Sequence, residues 1–183
     1  MCTESAQARE ILVALPDCIT DLYTVHQLVW AHVERAARVA RQKHKASTPT
    51  FIYRVDSGMI RARSVDLPSG VASVSQMRES ADFYLDIAAL TGERHDRPVP
   101  AASLEQWCAS KIERSGFVVS DLVVDQYEMR VGKKYIERVQ HNIQIPVARL
   151  RAKLKTKDAE LCAAAWVNGI GRGKRFGLGM LAH

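Results

Sequence analysis

The sequence predicts an α+β fold made of two βαββαβ-type units in tandem, the first of them abbreviated. Three observations predict it. Runs rich in β-branched and aromatic residues recur along the chain and dominate residues 117–147. Between them lie three segments whose apolar residues fall at three- and four-residue spacing. The order strand, helix, strand, strand then occurs twice in 183 residues, a length that suits two small units of roughly 80–100 residues each.

Residues 1–8 are polar and open no element. The apolar run 10–15 reads as a buried strand that Pro16 ends. Thr20 or Asp21 caps a helix running from 22 to about 43, with Leu22, Val25, Val29, Val33, Ala36 and Ala40 on one stripe. Arg35, Arg38, Arg41, Lys43 and Lys45 suit its C-terminal, electronegative end. Segments 50–55 and 59–64 read as strands turning at Ser57 and Gly58. Residues 65–80 are rich in Ser, Pro and Gly and read as a loop with room for one short helix. A strand over 82–90 precedes a polar loop over 91–100. Ser103 caps a second helix that places Leu104, Trp107, Cys108 and Ile112 on one face, and Gly116 stops it.

Segments 117–130 and 134–147 form a long hairpin turning at Gly132 and Lys133. A third helix covers 158–168, Gly169 ends it, and 174–182 reads as a last strand. From residue 81 onward this is the complete order of a ferredoxin-like domain. The expected division is therefore an N-terminal ferredoxin-like unit over 1–80 and a C-terminal one over 81–183.

A hydrophobic content of 47% is enough for a packed core and argues against wholesale disorder. The formal charge of +6 favours a polyanionic partner, nucleic acid being the commonest, although a mildly basic protein without one has the same balance. Cys2, Cys18, Cys108 and Cys162 show no CxxC pair and no histidine in a zinc pattern. Without a secretion signal they read as reduced thiols of a soluble, cytoplasmic protein. The apolar run 11–15 is too short to span a membrane. No cofactor, metal or membrane is expected as a partner.

Two segments carry chemistry. In the first, Gly169, Gly171, Gly173, Gly177 and Gly179 interleave with Arg172, Lys174 and Arg175. Glycine permits positive φ and close approach of backbone N–H groups to a ligand; with formal cations added, such a run is an anion cradle. It is neither a dinucleotide fingerprint, which would need glycine where Lys174 stands, nor a P-loop, which would need glycine at Asn168 and a hydroxyl at Arg175. A plain glycine-rich link from helix to strand is the bland alternative. In the second segment, Tyr23, His26 and Trp30 are spaced i, i+3, i+7 and share a helix face distinct from the valine stripe. Alone, such a histidine is most often just a solvated side chain.

Together, the pattern Asp-Leu-Tyr-x-x-His-Gln-x-x-Trp at 21–30 and the pattern Gly-Ile-Gly-x-x-Lys-x-x-Gly-x-Gly-x-Leu at 169–181 resemble the CasE family of CRISPR-associated RNA endonucleases. The segment 104–117, with Trp107 and a closing Ser-Gly-Phe, is similar to the helix that follows the central loop of that family. Two departures stand out. The stretch 83–90 lacks the arginines usual there and carries Asp86, and the chain is short for the family.

The resemblance implies tandem ferredoxin-like domains and metal-independent cleavage of a CRISPR repeat hairpin into guide RNA, leaving 2′,3′-cyclic phosphate and 5′-hydroxyl ends. It implies the repeat RNA as partner, with other subunits of a type I-E surveillance complex beside it. His26 is the expected general acid/base, Tyr23 orients the 2′-hydroxyl or donates to a phosphate oxygen, and Lys174 or Arg175 stabilises the phosphorane. The expected RNA-binding set is Gly169, Gly171, Arg172, Gly173, Lys174 and Arg175 in the loop, and Arg130, Lys133 and Lys134 at the hairpin tip. Arg149, Arg151, Lys153 and Lys155 form a third basic cluster. The alternative is a non-catalytic RNA-binding relative that holds a hairpin, or fills a slot in a surveillance complex, without using His26.

Overall fold

The structure, a computed structural model, describes residues 8–19, 21–40, 50–92, 96–136 and 139–183. The first sheet is built from β1 (Arg9–Ala14), β2 (Ile52–Asp56), β3 (Met59–Ser64) and the short β4 (Ser73–Val74). Its strands lie in the order β2-β3-β1-β4, all antiparallel. Helix α1 (Leu22–Ala40) crosses from β1 to β2 and covers one face. Val25, Val29 and Val33 of its predicted stripe are buried against Val13, Tyr53, Ile60 and Ala62 of the strands. Residues 41–43 of the predicted helix, and with them Arg41 and Lys43, lie outside the described residues, as does Lys45.

The second sheet takes β5 (Ser80–Ala88), β8 (Phe117–Ile136) and β9 (Val139–Thr156) in the order β5-β9-β8. Between β5 and α2 (Leu104–Glu113), the expected polar loop contains a two-stranded hairpin of β6 (Leu90–Thr91) and β7 (Arg97–Pro98). Helices α2 and α3 (Ala159–Asn168) bury the face carrying Phe83, Leu85, Ile87, Leu150, Ala152 and Leu154. The C-terminal tail then bridges Ala182 to Tyr84 on β5. Counting the tail as a fourth strand, both sheets share one spatial order, in which the first strand sits between the third and the fourth. This is a tandem ferredoxin-like α+β architecture with an abbreviated first unit, which has no second helix among its described residues.

Three local readings are corrected. The hairpin does not turn at Gly132 and Lys133: these lie inside β8, paired with Ile143 and Asn142, and the strands run on to a register of Ile136 with Val139. Gly132 is small for another reason, since a Cβ there would stand 3.0 Å from the Leu22 Cβ. The last predicted strand is instead a turn of 3-10 helix (Lys174–Phe176) followed by an extended tail with a single bridge, because Gly177 and Gly179 sit at φ 77° and 84°. Ser103 does not cap α2; its hydroxyl donates to the Pro100 carbonyl, and α2 grows out of a 3-10 turn.

The two sheets are joined through Arg63. Its side chain is fully buried, pairs with Glu10 at 2.6 Å, and donates to the carbonyls of Trp166 and Leu181 at 2.8 and 2.9 Å. The guanidinium lies 3.4 Å over the Trp166 ring. Burial pulls its pKa down to about 10 against the opposing pull of Glu10, so it is charged at neutral pH. Arg63 thus fixes the C-terminal tail, and with it the glycine-rich loop, against the first sheet. Among the described residues no helix is long and apolar enough to cross a membrane.

A candidate nucleic-acid interface

The start of α1 is set by Asp21, whose carboxylate accepts hydrogen bonds from the backbone N–H groups of Tyr23 and Thr24 at 3.1 and 3.0 Å. Burial alone would raise the Asp21 pKa, but these bonds and the charge of Lys133 outweigh it and hold the pKa below its ordinary value. With the cap fixed and the valine stripe buried, the neighbouring helix face is committed in direction. Tyr23, His26, Gln27 and Trp30 line a cleft of about 480 Å³ whose opposite wall is Arg175 and Phe176.

His26 is half-buried in the wall of this cleft. Its ring stacks near Phe51 and Tyr53, with centroids 5.7 and 6.2 Å away, and meets Trp30 at 6.3 Å. Its Nδ1 is buried and has no hydrogen-bond partner among the described residues. Burial, and secondarily the charge of Arg175, lower the His26 pKa, so the imidazole is neutral near pH 7. A neutral imidazole beside a guanidinium can accept a proton while the cation holds an anion.

The glycine-rich loop supplies the second part of the site. Its ends are tied: Gly169 N–H donates to Ala165, Ile170 N–H to Gly179, and Gly179 N–H to the Asp86 carbonyl. The Tyr53 hydroxyl donates to the Arg175 carbonyl at 2.9 Å, and burial pushes its pKa up, keeping it a donor. Gly177 must be glycine, because it has φ 77° and a Cβ would lie 2.9 Å from the Tyr53 ring. Between these anchors, the backbone N–H groups of residues 171–175 find no acceptor among the described residues. A row of free donors flanked by Lys174 and Arg175 suits an anion.

The predicted site residues divide into two groups. Tyr23, His26 and Arg175 meet in one cleft, and Gly171, Gly173 and Lys174 belong to the adjoining loop; Lys174 is not among the residues lining the His26 cleft. Gly169 serves as the C-cap of α3. Arg172 ion-pairs with Asp96 and donates to the Gly92 carbonyl, tying the loop to the β6–β7 hairpin. Arg130 pairs with Asp86 at 2.6 Å and with Glu128 at 3.0 Å. Lys133 is exposed, and the approach of Gly132 to Leu22 brings it to the start of α1. Lys134 pairs with His141 through the backbone, and its side chain lies outside the described residues.

In the third cluster, Arg149, Arg151 and Lys153 face Asp86, Asp125 and Asp121 at 3.1, 3.3 and 3.6 Å. Asp86, noticed in the sequence only as a departure, is the buried hub of Arg130 and Arg149. Burial would raise its pKa, but the two guanidinium groups bring it below the ordinary value. Phe176 and Tyr53 were not legible as site residues; the only signal was an aromatic residue set among the basic positions of the loop.

A family described as CRISPR associated protein has a model that matches residues 71–182. Among solved structures, the chain is similar to a CRISPR endoribonuclease Cse3 bound to 19 nt RNA, with a TM-score of 0.69 and 17% identity over 96% of this chain and 98% of that one. It is similar to Thermus thermophilus Cse3 bound to an RNA representing a pre-cleavage complex, at TM-score 0.68 and 16% identity over 96% and 98%. A chain of a CRISPR RNA-guided surveillance complex matches at TM-score 0.64 and 15% identity over 95% and 97%. At these identities the likeness is one of fold. No curated protein matches the sequence.

Proposed function

This chain belongs to the CRISPR-associated protein family, and on that premise we propose that it binds a CRISPR repeat hairpin and cleaves it at the His26 cleft. The observation that carries the reading is that the neutral imidazole of His26 and the guanidinium of Arg175 line one cleft, beside a loop with free N–H donors. The shared fold of the RNA-bound Cse3 structures supports an RNA ligand. The likeness to a surveillance-complex chain supports other subunits of such a complex as partners. The division into units at 1–80 and 81–183 is part of the proposal; the first sheet ends at Val74 and the second begins at Ser80.

The chemistry needs only an internal nucleophile. The 2′-hydroxyl beside the scissile phosphate gives its proton to His26 and attacks phosphorus in line. The P–O2′ bond forms, the P–O5′ bond breaks, and the 5′ oxygen leaves as a hydroxyl after protonation from solvent. The product strand ends in a 2′,3′-cyclic phosphate. Arg175 and the free N–H groups of the loop stabilise the charge that builds on the phosphorane oxygens, and Tyr23 orients the attacking hydroxyl. In this assignment Arg175 takes the role for which the sequence offered Lys174 or Arg175.

The test is cleavage of repeat RNA in EDTA. His26→Ala is expected to slow cleavage on the order of 100-fold or more while leaving the dissociation constant within a few-fold. Undiminished cleavage by that variant would remove His26 from the mechanism. Tight binding without cleavage by the unmodified protein would favour the non-catalytic relative.

A further inference from the structure

On the far side of Arg175 and Phe176 from His26 lies a second cleft, of about 440 Å³. Its walls are apolar: Leu90, Pro98, Met129, Ile143, Ile145 and Phe176. Met129 leaves half its surface exposed and Pro98 is exposed, whereas Ile145 is buried in the core against which Leu90, Ile143 and Phe176 pack. Polar groups line it as well. They are Gln144, the unpartnered N–H of Gly173, Arg175, and the Arg172–Asp96 pair.

Two features specify an occupant. Arg175 and Phe176 line both clefts, so these two residues form the ridge between them, with the guanidinium 5.5 Å from the phenyl centroid. A phosphate lying on that ridge against Arg175 has one nucleoside on the His26 side and the next on the other. The second cleft then offers what a nucleobase needs. It has apolar surface for the ring, an amide and a carboxylate at the edge, and positive charge on the side from which the phosphate enters.

We propose that this second cleft seats an unpaired nucleobase adjoining the phosphodiester held at the His26 cleft. The proposal rests on the RNA reading above. The base lies across the edge of β9 that β5 leaves free beyond Ala88, between Phe176 on the Ile143 face and Met129 on the opposite face, with its polar edge toward Gln144 and Asp96. The nucleotide is unpaired because a paired base keeps its faces stacked on its neighbours and cannot enter a pocket. A seated base fixes the register of the strand, so the pocket selects which phosphate reaches His26.

The experiment is an abasic scan of the unpaired nucleotides flanking the stem of a repeat hairpin, read as dissociation constants for the unmodified protein and for Met129→Glu. One position is expected at which removing the base weakens binding about 10-fold in the unmodified protein. Met129→Glu should bind the intact RNA about 10-fold more weakly and lose nothing further at that position. Gln144→Trp, an exposed neutral change that fills the mouth with an indole, should give the same pattern. If removing the base costs the same in both variants as in the unmodified protein, or costs nothing at any position, the pocket is overturned while RNA binding stands. A protein that binds no hairpin in a salt-sensitive way overturns the RNA reading, and the pocket with it.

Discussion

Arg63 holds a full charge with no exposure because every donor face is answered: Glu10, two carbonyls and the Trp166 ring. Removing one partner of such a set leaves the others desolvated and unpaired. Arg63→Ala should therefore cost about 3–5 kcal/mol, seen as a lower urea midpoint at unchanged slope. His26 gives a second prediction at this scale. Its folded pKa lies below 6.5, so its contribution to stability is complete above that pH. As pH falls below 6.5 the unfolded chain takes up the proton first, and the contribution is lost down to the folded pKa. Melting temperatures across pH 5 to 7.5, a range set about the ordinary histidine value, should fall less steeply toward acid for His26→Phe than for the unmodified protein. On the proposed mechanism the neutral ring is the base, so the acid limb of the cleavage rate should likewise lie below 6.5.

At the scale of elements, the sequence was most legible where one local rule acts alone. Ser57 and Gly58, at φ 47° and 77°, make the tight turn their types announce, and Asp21 makes the cap its position announces. Gly132 was misread because a glycine inside a strand has two causes, a turn or a close approach, and sequence cannot separate them. Here the cause is Leu22 of α1, packed on β8 across more than a hundred residues of chain. The tail was misread because its apolar residues suit a strand while its glycines take φ values a strand does not. The role of Gly132 can be tested. Gly132→Val pushes β8 away from the start of α1, which should cost about 1–3 kcal/mol in stability. It should also lower cleavage more than it lowers RNA binding, because Tyr23 and His26 ride on that end of the helix; paired rate and affinity measurements check this.

For the whole molecule, the net charge of +6 says that a polyanion is welcome but not where it lies. The ion pairs decide that. Arg130 and Arg149 are spent on Asp86, Arg151 on Asp125, and Arg172 on Asp96. Arg175 lines the His26 cleft, Lys174 adjoins it, and Lys133 is exposed at the start of α1. Counterion release depends on cations that meet phosphates, not on the total. The slope of log affinity against log salt should therefore fall by about 0.7–0.9 for each of Arg175→Gln, Lys174→Gln and Lys133→Gln. Arg130→Gln should leave that slope alone and lower stability instead, because it strips one of two partners from a buried carboxylate. Equal loss of slope for Arg130→Gln and Arg175→Gln would mean that the RNA lies over β8 rather than along the ridge between the two clefts.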